Sequence, residues 1–232
     1  MVSNYHDQRS VEMARWTLNL SQWAEERWNL RKWLSPILDT EVTEYKKKMR
    51  FCWGGMTFAL IIVELITGIF LAYYYQPSVK GAFQSISFIT DQVYLGWLVR
   101  GIHHYAGYLI IVTVVVHMMI VFFRGAYKPP REMTWVSGIF LLVLCFAFSF
   151  TGYLLTWDQR GYWATRIGTG MASEIPIIGD YLMIFLQGGY GVKQPTITRF
   201  FISHVIVLPL FLIGFLLAHF IMIRRQGIKK PF

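Results

Sequence analysis

Apolar residues gather into four long runs separated by polar stretches, unlike the short alternating patterns of a water-soluble fold. The runs extend from Phe51 to Tyr75, Gly101 to Phe123, Trp135 to Trp157 and Phe200 to Ile223, and Glu64 alone interrupts the first. Each has about the 20 residues that a helix rising roughly 1.5 Å per residue needs to cross about 30 Å of hydrocarbon. Lipid offers no water to unpaired peptide groups, so each segment must close its hydrogen bonds internally. The pattern predicts an all-α membrane protein, a four-transmembrane-helix bundle occupying 51–232, with helices at about 51–75, 101–123, 135–157 and 200–223. Residues 1–50 are polar and lack the central apolar run of a cleavable leader. Trp16, Leu20, Trp23 and Leu30 recur there at near-helical spacing among acids and bases. This segment is expected to be an amphipathic helix lying on the membrane surface.

Composition agrees, with 55% hydrophobic residues and a mean hydropathy of +0.42, too oily for a soluble domain of this length. The net charge of +9 is distributed by side. Lys46, Lys47, Lys48, Arg50, Arg124, Lys128, Arg131, Arg224, Arg225, Lys229 and Lys230 flank one face of the bundle, 11 in all. Lys80, Arg100, Arg160, Arg166, Lys193 and Arg199 are the six on the other, over longer loops. Basic residues collect on the negative (n), cytoplasm-like side, so both termini are expected there. The same asymmetry removes the reason to expect nucleic-acid binding.

Within the oily runs, four histidines stand at two matching intervals. His103 and His117 are 14 residues apart, and His204 and His219 are 15 apart. Along a helix these intervals span roughly 21–23 Å, and at about 100° per residue each pair faces broadly one way. Two such helices side by side would set histidine against histidine at two depths. Imidazoles so placed suit two planar metal cofactors, hemes, each held by one ring from either helix. An ionisable group in a span is costly to keep there without a function. His104 must point elsewhere on its helix and is not expected to ligate. Zinc is disfavoured, because no cysteine or carboxylate completes either cluster.

Other residues repeat the interval. Gly54 or Gly55 pairs with Gly68, and Gly138 pairs with Gly152, again 13 or 14 apart. Glycine at these points would let a flat ring edge approach the backbone; the alternative is small-residue helix packing. Pro209 lies between the two histidines of the fourth run, where a loosened helix could absorb the extra residue. Arg100, Arg199, Arg124 and Arg224 flank the histidines and suit anionic propionates, or simply anchor the helix ends. No Cys-x-x-Cys-His is present, so the usual c-type heme attachment is missing. Cys145 reads as core, and Cys52 by itself would be an inert thiol.

Several stretches are specific enough to name a family. They are Trp-Ala-Glu-Glu-Arg (23–27), Phe-Cys-Trp-Gly-Gly (51–55), Arg-Gly-Ile-His-His (100–104), Lys-Pro-Pro-Arg-Glu (128–132), Thr-Gly-Tyr-Leu-Leu-Thr-Trp-Asp-Gln (151–159) and His-Phe-Ile-Met-Ile-Arg-Arg-Gln-Gly-Ile (219–228). From about Trp23 to its end the chain resembles the short cytochrome b (cytochrome b6) of b6f complexes and of bacterial menaquinol:cytochrome c reductases. The 15-residue gap is also the b6-type interval.

The resemblance implies two b hemes, His103 and His204 near the positive (p) side and His117 and His219 near the n side. It implies that Cys52 binds a covalent heme c, with Arg224 beside it and the n-side quinone. Trp157 to Ile167 would form short surface helices walling a quinol pocket, with Gly152, Tyr153, Trp157, Asp158 and Tyr162 as wall candidates. The implied activity is that of one subunit of a quinol:cytochrome c oxidoreductase, inactive alone. Quinol oxidised at the p side would send one electron to a Rieske iron–sulfur protein and a c-type cytochrome. The other would cross to the n-side hemes and quinone, coupled to proton translocation. A three-helix subunit would supply the Pro-Glu-Trp-Tyr element absent here, within a dimeric, lipid-embedded complex. His103-His104-Tyr105 and the 125–130 segment lean toward a bacterial respiratory menaquinol type. The alternatives are a photosynthetic cytochrome b6 or a diheme membrane anchor of a dehydrogenase or hydrogenase; a transporter with coupling histidines would be colourless. Two departures stand out: Thr156 replaces a usual proline, and Glu64 stands where glutamine is usual. Glu64 is expected to be a neutral core residue, or else part of a proton path.

Overall fold

The computed structural model describes residues 53–226. The predicted N-terminal surface helix and Cys52 lie outside the described residues. The described chain is helical throughout: α1 Trp53–Ala72, α2 Ala82–Asp91, α3 Gly96–Phe123, α4 Glu132–Leu155, α5 Gln159–Ser173, α6 Gly179–Gln187, α7 Gln194–Ile202, a π turn Ser203–Val207, and α8 Leu208–Gln226. Four stretches are long and apolar enough to cross a membrane: α1, α3, α4 and the continuous α7–π–α8 rod. This is the predicted four-helix membrane bundle, and the apolar runs marked its spans.

The ends differ from the runs for local reasons. α3 begins five residues before its apolar run because Leu95, held at φ 56, turns the chain out of α2. α4 starts at Glu132, just past Pro129 and Pro130, with an acid in its first turn where the helix dipole favours it. It ends at Leu155; Trp157 takes a left-handed φ of 49, and the Asp158 carboxylate accepts from the Gly161 N–H at 2.7 Å to cap α5. The fourth span starts six residues early, at Gln194.

α1 packs on α3, and α4 packs on α8. The Thr57 hydroxyl donates to Thr113 at 3.0 Å across the first pair. Phe140 stacks on Phe215 at 5.1 Å across the second, and Phe58 meets Phe220 edge-on at 5.2 Å between α1 and α8. No span has more than 22% of its apolar window buried, so most of its apolar surface is left for lipid and other groups. Many of the residues the spans do bury carry hydroxyls: Thr57, Thr67, Thr113, Ser137 and Thr151. Small polar side chains let helices approach closely and bond across them.

One end of the bundle is closed by α5, α6 and α7. Gln187 there is buried and fully bonded. Its amide donates to Thr169 at 2.7 Å, its side-chain oxygen accepts from Gly191, and its carbonyl accepts from Thr196 at 2.6 Å. Gln194 clamps the loop after α1, accepting from Val79 N–H and donating to the Pro77 carbonyl.

Candidate functional site: two histidine pairs

His103 and His117 stand on α3, His204 in the π turn and His219 on α8. The His103 and His204 rings face each other with centroids 6.3 Å apart and planes at 70°. Two imidazole–metal bonds of about 2 Å each take up about 4 Å of such a gap, the half-rings taking the rest. A single metal ion therefore fits between them. His117 and His219 are electrostatic neighbours at the other level.

The π turn sets the register. Its widened loop, closed by the Leu208 N–H on the Ser203 carbonyl, holds one residue more than an α turn. It lies just before Pro209, which has no N–H to give and crowds the preceding turn. With that residue absorbed, the interval of 15 from His204 to His219 behaves as 14, about 40° short of whole turns. That is the phase of His103 and His117, so both helices present their histidines alike.

Each ring rests against one glycine of a neighbouring helix. A methyl group added at Gly54 would sit 3.1 Å from His117 Cε1, at Gly68 3.2 Å from His103, at Gly152 2.8 Å from His204, and at Gly138 3.6 Å from His219. Gly55 faces nothing within 4 Å, which resolves the choice between it and Gly54. The glycine interval thus matches the histidine interval because each of these glycines lies against a histidine ring.

Three hydroxyls fix the tautomers, and sequence reasoning passed over them. Thr67 donates to the Val63 carbonyl at 2.7 Å, Thr151 to Ala147 at 2.8 Å, and Ser137 to Thr134 at 2.8 Å. With its proton so engaged, each hydroxyl oxygen can only accept from the imidazole beside it. Those partners are Nδ1 of His103 at 2.9 Å, of His204 at 3.0 Å and of His219 at 2.8 Å. Nδ1 then carries the ring proton, and Nε2 keeps the lone pair a metal needs. The signal was present in the dipeptides Thr67-Gly68, Ser137-Gly138 and Thr151-Gly152, a hydroxyl directly before each of three ring-facing glycines.

Glu64 is not a plain core residue. Its Oε2 lies 2.7 Å from His103 Nδ1, while Oε1 is buried without a partner. Tyr75 OH is the other such orphan among the described residues. It lies three residues past α1 on a ring stacked over Phe201, and burial pushes its phenol above the ordinary tyrosine range. His104 is exposed and meets Tyr105 and Tyr108 edge-on.

The remaining candidates divide. Arg100 stands one turn before His103, half-buried. Arg199 instead donates to the Phe185 carbonyl and lies over the Phe185 ring. Arg124 follows the last turn of α3, and Arg224 is in the last turn of α8. Of the wall candidates, Gly152 belongs to His204. Asp158 is occupied as the cap of α5. Trp157 and Tyr162 pack on the cluster of Leu154, Val192 and Phe200, and Tyr153 is exposed.

Fold and site together define a class: a four-span membrane protein with a facing pair of histidines, His103 and His204, at one depth and a second pair, His117 and His219, close enough to interact at another. Comparison with known sequences narrows it. A family model described as Cytochrome b/b6/petB matches residues 39–227, and the chain belongs to that family. It is 44% identical to cytochrome b6 of Heliobacterium modesticaldum over 210 residues, 90% of this chain and 99% of that one. Against cytochrome b6 of Gloeobacter violaceus it is 42% identical over 209 residues, covering 90% and 97%. Among solved structures, a chain of a hyperthermophilic respiratory Complex III superposes with a TM-score of 0.78 at 30% identity; the match covers 90% of this chain and 56% of that one.

Proposed function

We propose that this protein is the cytochrome b subunit of a quinol-oxidising, proton-translocating complex of the respiratory menaquinol type. The facing His103 and His204 rings, each backed by a glycine and a hydroxyl, are the observation that carries this reading. His103 with His204, and His117 with His219, would hold two b hemes through their imidazole nitrogens. Hemes bound there supply one-electron carriers at two depths, linking quinol oxidation on the p side to quinone reduction on the n side.

The chain's own residues do the rest. Thr67, Thr151 and Ser137 hold three rings in the ligating tautomer. The four glycines keep the rings free of side-chain crowding. The α5–α7 cap, pinned by Gln187, is the proposed wall of the quinol pocket next to the His103–His204 level. Arg124 and Arg224, near the His117–His219 level, favour negative charge there. That matters because a full crossing against the membrane potential costs about 2.3 kcal/mol per elementary charge per 100 mV. Cys52, two residues before Gly54 in sequence, is the proposed thioether attachment for a heme c, and Arg224 a proposed contact of that heme and of the n-side quinone. A Rieske protein, a three-helix subunit and a c-type cytochrome are the proposed partners in a bacterial energy-transducing membrane.

Redox difference spectra of the purified complex test the reading. Two low-spin b-type components are expected; His204→Ala should remove one and His219→Ala the other. Cys52→Ala should abolish the c-type signal of an alkaline pyridine hemochrome and leave both b signals. A colourless complex, or a quartet of alanine variants that each keep both components, would overturn it.

A further inference from the structure

Glu64 is the one acidic residue inside the spans away from a helix end; the other acid on a spanning helix, Glu132, opens α4. An acid at such a depth is costly unless it has a partner and a use. Its Oε2 and the Thr67 hydroxyl oxygen converge on the same His103 Nδ1, at 2.7 Å and 2.9 Å. The Thr67 proton is committed to the Val63 carbonyl, so the Thr67 oxygen accepts, and Glu64 as a carboxylate would share the single Nδ1 proton with it. His204 and His219 each have a neutral hydroxyl at this position. For His117 the residue preceding its glycine is Trp53, which offers no hydroxyl. Of the four rings, then, His103 is set apart by a carboxyl acceptor.

We propose that Glu64 is a positioning residue that makes His103 the most electron-donating of the four ligands and thereby lowers the potential of the heme at the His103–His204 level. A carboxylate acceptor on the far nitrogen of a ligating imidazole raises the basicity of the ligand. A charge-assisted hydrogen bond is roughly twice as strong as a neutral one. Electron density pushed toward the iron favours its oxidised form, and second-layer hydrogen bonding is one of the levers that set heme potentials. The consequence is directional. Both levels carry the same bis-histidine set, so a difference must be built from surroundings, and Glu64 supplies it at the level from which the electron has to leave. This inference rests on the two-heme reading above.

The test is a potentiometric titration of the purified complex at one fixed pH, following both b components. The component at the His103–His204 level is identified by its loss in His204→Ala. Glu64→Gln keeps the size and an acceptor oxygen but removes the carboxylate. At a fixed potential it should raise the reduced-to-oxidised ratio of that component about tenfold, 59 mV for a one-electron couple, and leave the other component in place. Thr67→Val leaves Glu64 as sole acceptor; the same component should then hold its potential or fall. An unmoved component in Glu64→Gln, equal shifts at both levels, or a rise in Thr67→Val would overturn the proposal. Absence of both b components from the unsubstituted complex would instead overturn the two-heme reading itself.

Discussion

At the scale of single residues, the site is governed by clearances of tenths of an ångström. Gly152 leaves no room for a methyl, with His204 Cε1 at 2.8 Å, whereas Gly138 leaves ordinary contact distance, 3.6 Å from His219. Gly152→Ala should therefore displace the His204 ring and remove the b component at that level, and Gly138→Ala should leave its component nearly intact. Optical spectra of the two variants check the contrast; equal losses would mean that the glycines serve helix packing alone. The hydroxyls act more gently. Losing an outer partner of a metal-bound histidine typically costs 10–100-fold in affinity, so Thr151→Val should weaken heme retention by about that factor, measured by competition with apomyoglobin. The histidines were legible because four of one rare residue type recurred at matched intervals. Thr67, Ser137 and Thr151 were not, because hydroxyls are common in membrane helices and their role depends on which ring lies across the interface.

At the scale of elements, the π turn and the α5–α7 cap set the geometry of the fourth span. If Ser203–Val207 holds the extra residue, deleting Ile206 should turn it into a regular α turn, preserve the phase of His204 and His219, and keep both b components. Deleting Ile213, beyond Pro209, should instead turn His219 by about 100° and lose the component at its level. The pair of deletions, compared by spectrum, separates a register device from an incidental distortion. In the cap, Gln187→Leu strands the Gly191 N–H, and leaving such a buried group unpaired costs about 1–3 kcal/mol. Hydrogen exchange should then quicken across 159–202 while α1 and α3 keep their protection. Pro209 gave advance notice of a loosened fourth span, and the Trp157-Asp158 stretch gave notice of a surface helix. Neither said that the extra residue would be stored at His204 itself, or that Asp158 would be spent on a cap.

At the scale of the whole molecule, the bundle is a thin scaffold. Its spans bury few of their own residues, and its cohesion comes from two helix pairs, α1 with α3 and α4 with α8, joined by a few aromatic contacts. The proposed orientation has Lys128, Arg131, Arg224 and Arg225 on the n side. Reporter fusions should accordingly be active on the cytoplasmic face after Gln226 and inactive there when inserted at Tyr190; the reverse pattern would invert the proposed direction of electron flow.

Hydropathy along the chain determined the span count and the bundle class, because lipid forces every backbone group to pair within its own segment and leaves helices as the answer. Histidine spacing determined that two levels exist, because helical rise and twist convert sequence interval directly into depth and direction. Tertiary structure alone decided which side chains surround each ring. That Gly54 rather than Gly55 backs His117, that three hydroxyls set the tautomers, and that Glu64 reaches His103 are all contacts between different helices. They depend on how two helices are rotated against each other, a quantity that no interval along one of them contains.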